Sequence, residues 1–192
     1  EGSEYYRKIA IRNLDPSTIS DTGELIDRIE RLRELGVTHC TVNHRSQEPA
    51  ELFEAMDWFD TSTLKEPYRI EGKKTMGLEI AEQYSWRLPD VIFFPTGGGV
   101  CLIAMWKVFR ELQEIGWIDG PLPRMVAVQS TGCGPIVRAF EAGEREVTEP
   151  WENVTTQIHG VRVPNPLGGR LVLDVIYDSN GFATAVDDAA VH

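Results

Sequence analysis

Three consecutive glycines, Gly97, Gly98 and Gly99, are the residues of this chain best placed to do chemistry. They leave no side chain between backbone amides and a ligand. Before them runs an apolar stretch, Val91-Ile92-Phe93-Phe94, closed by Pro95-Thr96. After them Leu102, Ile103, Trp106, Phe109 and Leu112 recur at helical spacing. Strand, glycine loop, helix adds unpaired N–H groups and the positive end of a helix dipole to the loop. Such a loop is an anion site suited to a phosphate, at the carboxyl end of a parallel strand. The same three residues also suit a plain tight turn, and spacing does not separate the two readings. The pattern is not a P-loop, since no Lys-Ser or Lys-Thr closes it, and the G-x-G-x-x-G dinucleotide fingerprint is missing.

The other chemical candidates are poorer. His39, Cys40 and His44 fall on or beside a short strand at 37–42. His39 then points away from Cys40, and Cys40 and His44 stand roughly 13 Å apart at the usual strand rise. Side chains that bind a metal must all lie ~2 Å from it, so no metal site is expected. Cys133 sits in a glycine-flanked loop at a strand-to-helix turn, a place where a thiol pKa can fall. No histidine is spaced to pair with it, so a structural role is expected. Trp106, Trp117 and Trp151 read as core or interface packing before they read as ligand-stacking rings. His159 and His192 have no assignable role.

These residues need elements to hold them. Asp21 or Thr22 caps a helix carrying Leu25, Ile26, Ile29, Leu32 and Leu35, with Gly36 as its stop. Its charged residues, among them Asp27, Glu30, Arg31 and Glu34, form a solvated face. Pro49 opens a second helix. A polar loop from Asp60 to Tyr68, broken by Pro67, leads to a helix over 72–84 with Met76, Ile80 and Tyr84 turned to the core. Val91–Phe94 reads as a strand buried on both faces. Strands follow at Met125–Gln129 and Ala183–Val186, with a loop over Ser130–Pro135, a helix after it through about Ala142, and an ordered surface loop over 160–169. Leu171–Tyr177 fits a strand or a buried helix. The rhythm is α/β.

Composition bounds the function. Of 192 residues, 42% are hydrophobic and 26% charged, a globular balance. Acids outnumber bases 30 to 19, for a formal charge of -11. That field repels phosphate backbones, so nucleic acid is not an expected partner. No apolar run approaches ~18 residues, so no membrane span is expected, and Glu1–Arg12, without a long apolar stretch, is not expected to be a signal peptide. Cys40, Cys101 and Cys133 are odd in number and widely spaced, which favours a reducing, cytoplasmic setting.

Longer stretches carry a resemblance. Thr63-Leu64-Lys65-Glu66-Pro67-Tyr68-Arg69-Ile70-Glu71-Gly72-Lys73-Lys74-Thr75-Met76-Gly77 is the first, and Leu88-Pro89-Asp90-Val91-Ile92 running into Pro95–Gly99 the second. Arg124–Gln129, Pro135–Phe140, Gly160–Pro164 and Val186-Asp187-Asp188 continue it. From about Trp58 to Asp188 the chain resembles threonine synthase, a pyridoxal-phosphate (PLP) enzyme of the tryptophan-synthase-β-like fold. The resemblance implies an incomplete doubly wound, mainly parallel sheet of fold type II, preceded by a helix-strand-helix extension. It divides the chain at 58, with residues 59–192 as the PLP-binding part. Residues about 20–58, above all Leu35–Asn43, more weakly resemble the C-terminal end of a luciferase-like flavin-dependent monooxygenase.

By that resemblance the PLP phosphate is held by the amides of Gly97, Gly98, Gly99, Val100 and Cys101. The family usually has Thr-Gly where this chain has Val100-Cys101, so a hydroxyl donor is lost and a Cβ is added. The implied reaction takes a phosphorylated amino acid, O-phosphohomoserine, to threonine and phosphate. The family's Schiff-base lysine lies in a Ser-Phe-Lys-type motif, and none of Lys8, Lys65, Lys73, Lys74 and Lys107 has that setting. The Ser-Gly-Asn segment and the hydroxyl residue on the pyridine nitrogen are also missing. No catalytic residue is therefore assigned, and the chain is expected to be inactive alone, needing a partner chain or missing domain. A non-catalytic phosphate-binding module and a functionless remnant are the alternatives.

Overall fold

The computed structural model describes residues 63–191 and, before them, the helical positions Asp27, Glu30, Arg31 and Glu34. These four are exposed, as their place on the charged face requires. The expected strand at 37–42, the helix opened by Pro49, the His39–Cys40–His44 group and the junction near Trp58 lie outside the described residues.

In chain order the elements are α1 (Tyr68–Gln83), β1 (Val91–Pro95), α2 (Val100–Glu114), β2 (Arg124–Ser130), α3 (Pro135–Glu141), α4 (Gly169–Asp178) and β3 (Phe182–Val186). Short 3-10 turns lie at His159–Val161 and Asp188–Ala190. The strands form one parallel sheet in the order β1-β2-β3, with Phe93 opposite Val126 and Val126 opposite Phe182. Parallel neighbours need crossovers, and helices supply both of them. Residues 63–191 thus form an α/β unit with three strands and four helices, in keeping with the fold that the resemblance implies.

Side chains alternate across the sheet. Ile92, Phe94, Met125, Ala127, Ala183 and Ala185 pack against Leu102, Met105, Phe109, Ile136, Leu173 and Ile176 of the helices. The other face carries Val91, Phe93, Val126 and Phe182. There Phe93 is 61% exposed and meets Phe182 edge-on, with ring centroids 5.9 Å apart. Burial of β1 on both faces is therefore corrected at Phe93: among the described residues the core cluster takes only the Ile92 and Phe94 side of the strand, and β1 is an edge strand.

Two further expectations change at α1. The helix begins at Tyr68, a turn early, because Pro67 suits a helix start. The Glu66 carboxylate accepts the Tyr68 N–H at 2.8 Å. Of its expected inward stripe, Ile80 packs against the core, but Met76 and Tyr84 are exposed, Tyr84 to 58%. The buried residues are Gly77 and Ala81. A Cβ on Gly77 would strike Val108 of α2, so small residues let the two backbones close together. Above this contact Glu71, Lys74, Lys107 and Glu111 form a ring of ion pairs at 2.5–2.7 Å that joins α1 to α2. Leu171–Tyr177 resolves as helix, with Val172, Leu173, Val175 and Ile176 buried.

Candidate functional site

The glycine loop sits where β1 ends and α2 begins, at the carboxyl edge of the sheet. Thr96 leads into it and is fully buried. Its N–H donates to the Val128 carbonyl at 2.8 Å, and its hydroxyl donates to the Phe94 carbonyl at 2.8 Å. Gly97 lies against Gly160, whose carbonyl oxygen would be 2.6 Å from an added Cβ. Gly99 has φ of +84°, and a Cβ there would overlap Val172 of α4. Both positions need glycine for internal reasons. Gly98 differs: among the described residues, a Cβ built on it meets no heavy atom within 4 Å. The side of the loop that Gly98 faces is open.

Among the described residues, the backbone donors of this loop are unpaired. None of the N–H groups from Gly97 to Leu102 has a partner among the described residues, and the first α2 bond runs from the Ile103 N–H to the Gly99 carbonyl at 3.0 Å. No side chain caps α2. Unpaired donors at the start of a 15-residue helix, next to open space, fit a phosphate. Val100 and Cys101 are half-buried in its first turn. All five residues singled out from the sequence thus lie together, as contiguous backbone.

Several neighbours escaped the sequence reading. Gln129 is buried at the end of β2. Its Nε2 donates to the Thr96 carbonyl at 3.1 Å, and its Oε1 accepts the N–H groups of Ile136 and Val137 at 2.8 and 3.1 Å. A polar residue at the inward parity of an apolar strand was the available clue. Beside it, Asp188 gathers the carboxyl edge. It accepts the Ser130 hydroxyl at 2.6 Å, the Thr156 hydroxyl at 2.9 Å and the Gln157 N–H at 2.7 Å. The Ser130 hydroxyl, then the Gln157 amide, hold its carboxyl below the usual aspartate range.

The remaining candidates are accounted for by packing. Burial pushes the Cys133 thiol up, in keeping with a structural role. Trp106 is a core residue, but Trp117 is exposed and packs edge-on to Trp86 at 5.1 Å. Trp151 borders a cleft of about 580 Å³ beside Thr131 and Gly132. Its ring face is taken by the Arg138 guanidinium, 5.3 Å from the centroid. His159 opens a 3-10 turn. Among the described residues no His, Cys, Asp or Glu group is arranged for a metal ion, and no helix is long and apolar enough to cross a membrane.

The lysines are equally informative. Lys74 and Lys107 each contact two carboxylates in the α1–α2 ring, and the Glu111 and Glu71 hydrogen bonds raise both pKa values. Lys73 is exposed on α1.

Known proteins share this sequence pattern. Threonine synthase of Methanocaldococcus jannaschii is 38% identical over 125 residues, and that of Methanosarcina acetivorans 39%. Each match covers 65% of this chain and 30% of the relative, so the chain spans under a third of their length. Arabidopsis thaliana threonine synthase 2, chloroplastic, is 29% identical over 113 residues, covering 59% of this chain and 22% of that protein. Among solved structures, maize serine racemase superposes with a TM-score of 0.58 at 21% identity, over 86% of this chain and 48% of that one. Threonine deaminase isoform 2 from Solanum lycopersicum gives 0.53 at 21% identity, over 84% and 44%. These two share the fold. A family described as pyridoxal-phosphate dependent enzyme (PALP) matches residues 11–192, and so takes in most of the stretch before 58 that the sequence reading set apart. With that extent of match and this loop, the chain belongs to the PLP-dependent enzyme family.

Proposed function

We propose that the chain is the phosphate-holding part of a threonine synthase-like enzyme, with the amides of Gly97, Gly98, Gly99, Val100 and Cys101 around the PLP phosphate. The observation that carries this is Gly98, open on one side and flanked by free N–H groups. When bound, PLP supplies an electron sink for chemistry next to an amino group. The chain's own contribution is to bind and orient it: main-chain donors grip the anionic end, and the α2 dipole favours its charge. O-phosphohomoserine, giving threonine and phosphate, is the proposed substrate, on the strength of the threonine synthase relatives.

The same proposal includes catalytic incompleteness of this chain alone. Lys74 and Lys107 are held as ammonium ions by paired carboxylates, a poor state for a nucleophile. Lys73 faces solvent on α1, not the glycine loop's helix. Borohydride treatment of the chain with PLP should leave no adduct concentrated on one lysine. A single stoichiometric adduct, mapped by mass spectrometry, would refute this part.

Calorimetry tests the cradle. The chain should bind PLP and inorganic phosphate competitively. Gly98→Asp should abolish both, by filling the open side and adding a like charge. Gly98→Ala should keep the thermal midpoint within what ~0.5 kcal/mol allows, since no neighbour is struck. Unchanged binding in Gly98→Asp would show that the loop is not the site.

A further inference from the structure

We propose that Gln129 is the positioning residue of the glycine loop, holding it in the shape that receives an anion. This rests on the reading of that loop as a phosphate cradle.

Gln129 is 1% exposed, an unusual place for a primary amide. Its three hydrogen bonds join segments apart in sequence: the Thr96 carbonyl just before the loop, and the first two N–H groups of α3, those of Ile136 and Val137. The orientation of the amide is dictated, because the reverse would set an NH2 against two N–H donors. Few side chains can replace it. The site demands an acceptor for two donors and, about a bond-length beyond, a donor for a carbonyl.

The loop is pinned at both ends. At its far end Gly99 is wedged against Val172 and the Gly99 carbonyl starts α2. At its near end both peptides flanking Thr96 are held, the one before it by the Thr96 N–H donating to Val128 and the one after it by Gln129 on the Thr96 carbonyl. The Thr96 carbonyl belongs to the same peptide unit as the Gly97 N–H. Turning that carbonyl therefore turns the first donor of the loop. Donors that are aimed before the ligand arrives cost no reorganisation on binding. Gln129 never touches the anion; it acts by aiming that peptide.

Gln129→Glu separates this role from simple packing. The carboxylate keeps an acceptor for Ile136 and Val137 but loses the donor to Thr96. In acid the buried carboxyl regains a proton and donates again. Binding of inorganic phosphate and PLP to the 192-residue chain at neutral pH should weaken about tenfold or more in this variant. Sulfate, whose charge is constant, should be bound with a deficit relative to wild type that closes as pH falls from about 8 to 5, the range where a buried glutamate protonates. A wild-type affinity in the variant, or a deficit that ignores pH, would overturn the proposal. A second measurement needs no variant. In wild type, saturating phosphate should slow amide hydrogen exchange at Ile136 and Val137 together with Gly97–Cys101, and unchanged exchange at 136–137 would overturn the coupling. If wild type binds neither phosphate nor PLP, it is the cradle reading that fails.

Discussion

A side chain at position 181 has nowhere to go. Built on Gly181, a Cβ would overlap the Met125 carbonyl of β2. Gly181→Ala is therefore expected to cost about 1–3 kcal/mol, since strand backbone cannot swing aside as a flexible side chain can. Urea denaturation checks it, and a wild-type midpoint would mean that the turn into β3 relaxes freely. Gly98 is the contrasting case, a glycine with no internal reason to be one. The triplet at 97–99 was conspicuous in the sequence, but which glycine serves packing and which faces outward was not. That difference depends on Gly160 and Val172, more than sixty residues downstream, which no local pattern brings near. Gln129 was hidden for a related reason: its partners are Thr96 and the start of α3, and only the sheet register brings them together.

The segment after β3 is held by one carboxylate. Asp188 ties the end of β2, through Ser130, to the loop at Thr156–Gln157. Its folded pKa lies below the ordinary aspartate value, so the clasp contributes fully above about pH 4 and is lost as pH falls through the lower folded value. Acid unfolding of wild type should steepen in that window, and Asp188→Asn should be less stable at neutral pH with a shallower acid slope. Circular dichroism melts from pH 7 to 3 test this, and equal slopes in both proteins would refute it. The helices and strands around it were largely legible, because β1, β2, α2 and α3 each carry a period or a glycine stop of their own. The start of α1 was not. Pro67 reads equally well as a breaker and as a helix opener, and only Glu66 folding back onto the Tyr68 N–H decides. The inward stripe of α1 misled because Met76 and Tyr84 are large, whereas a close helix crossing selects small residues such as Gly77 and Ala81.

The sheet is unequal on its two sides. The helices that pack into the core meet Ile92 and Phe94, while Phe93 stays 61% exposed beside Phe182. The apolar run at 91–94 cannot reveal this, since a strand covered on one side and a strand covered on both spell alike when the open side is also apolar. Phe93→Ser should lower stability by under ~1 kcal/mol and reduce self-association at high protein concentration, as read by light scattering. Stronger self-association in the variant would count against an adhesive face. Net charge limits how far such adhesion runs, for a chain at -11 repels its copies. Charge is also organised locally. In the ring that joins α1 to α2, each ammonium meets two carboxylates and each carboxylate two ammoniums. An electrophile hunting for a primary amine finds both nitrogens engaged, and wandering aldehydes or reducing sugars are left with Lys73 on the same helix as the softer target.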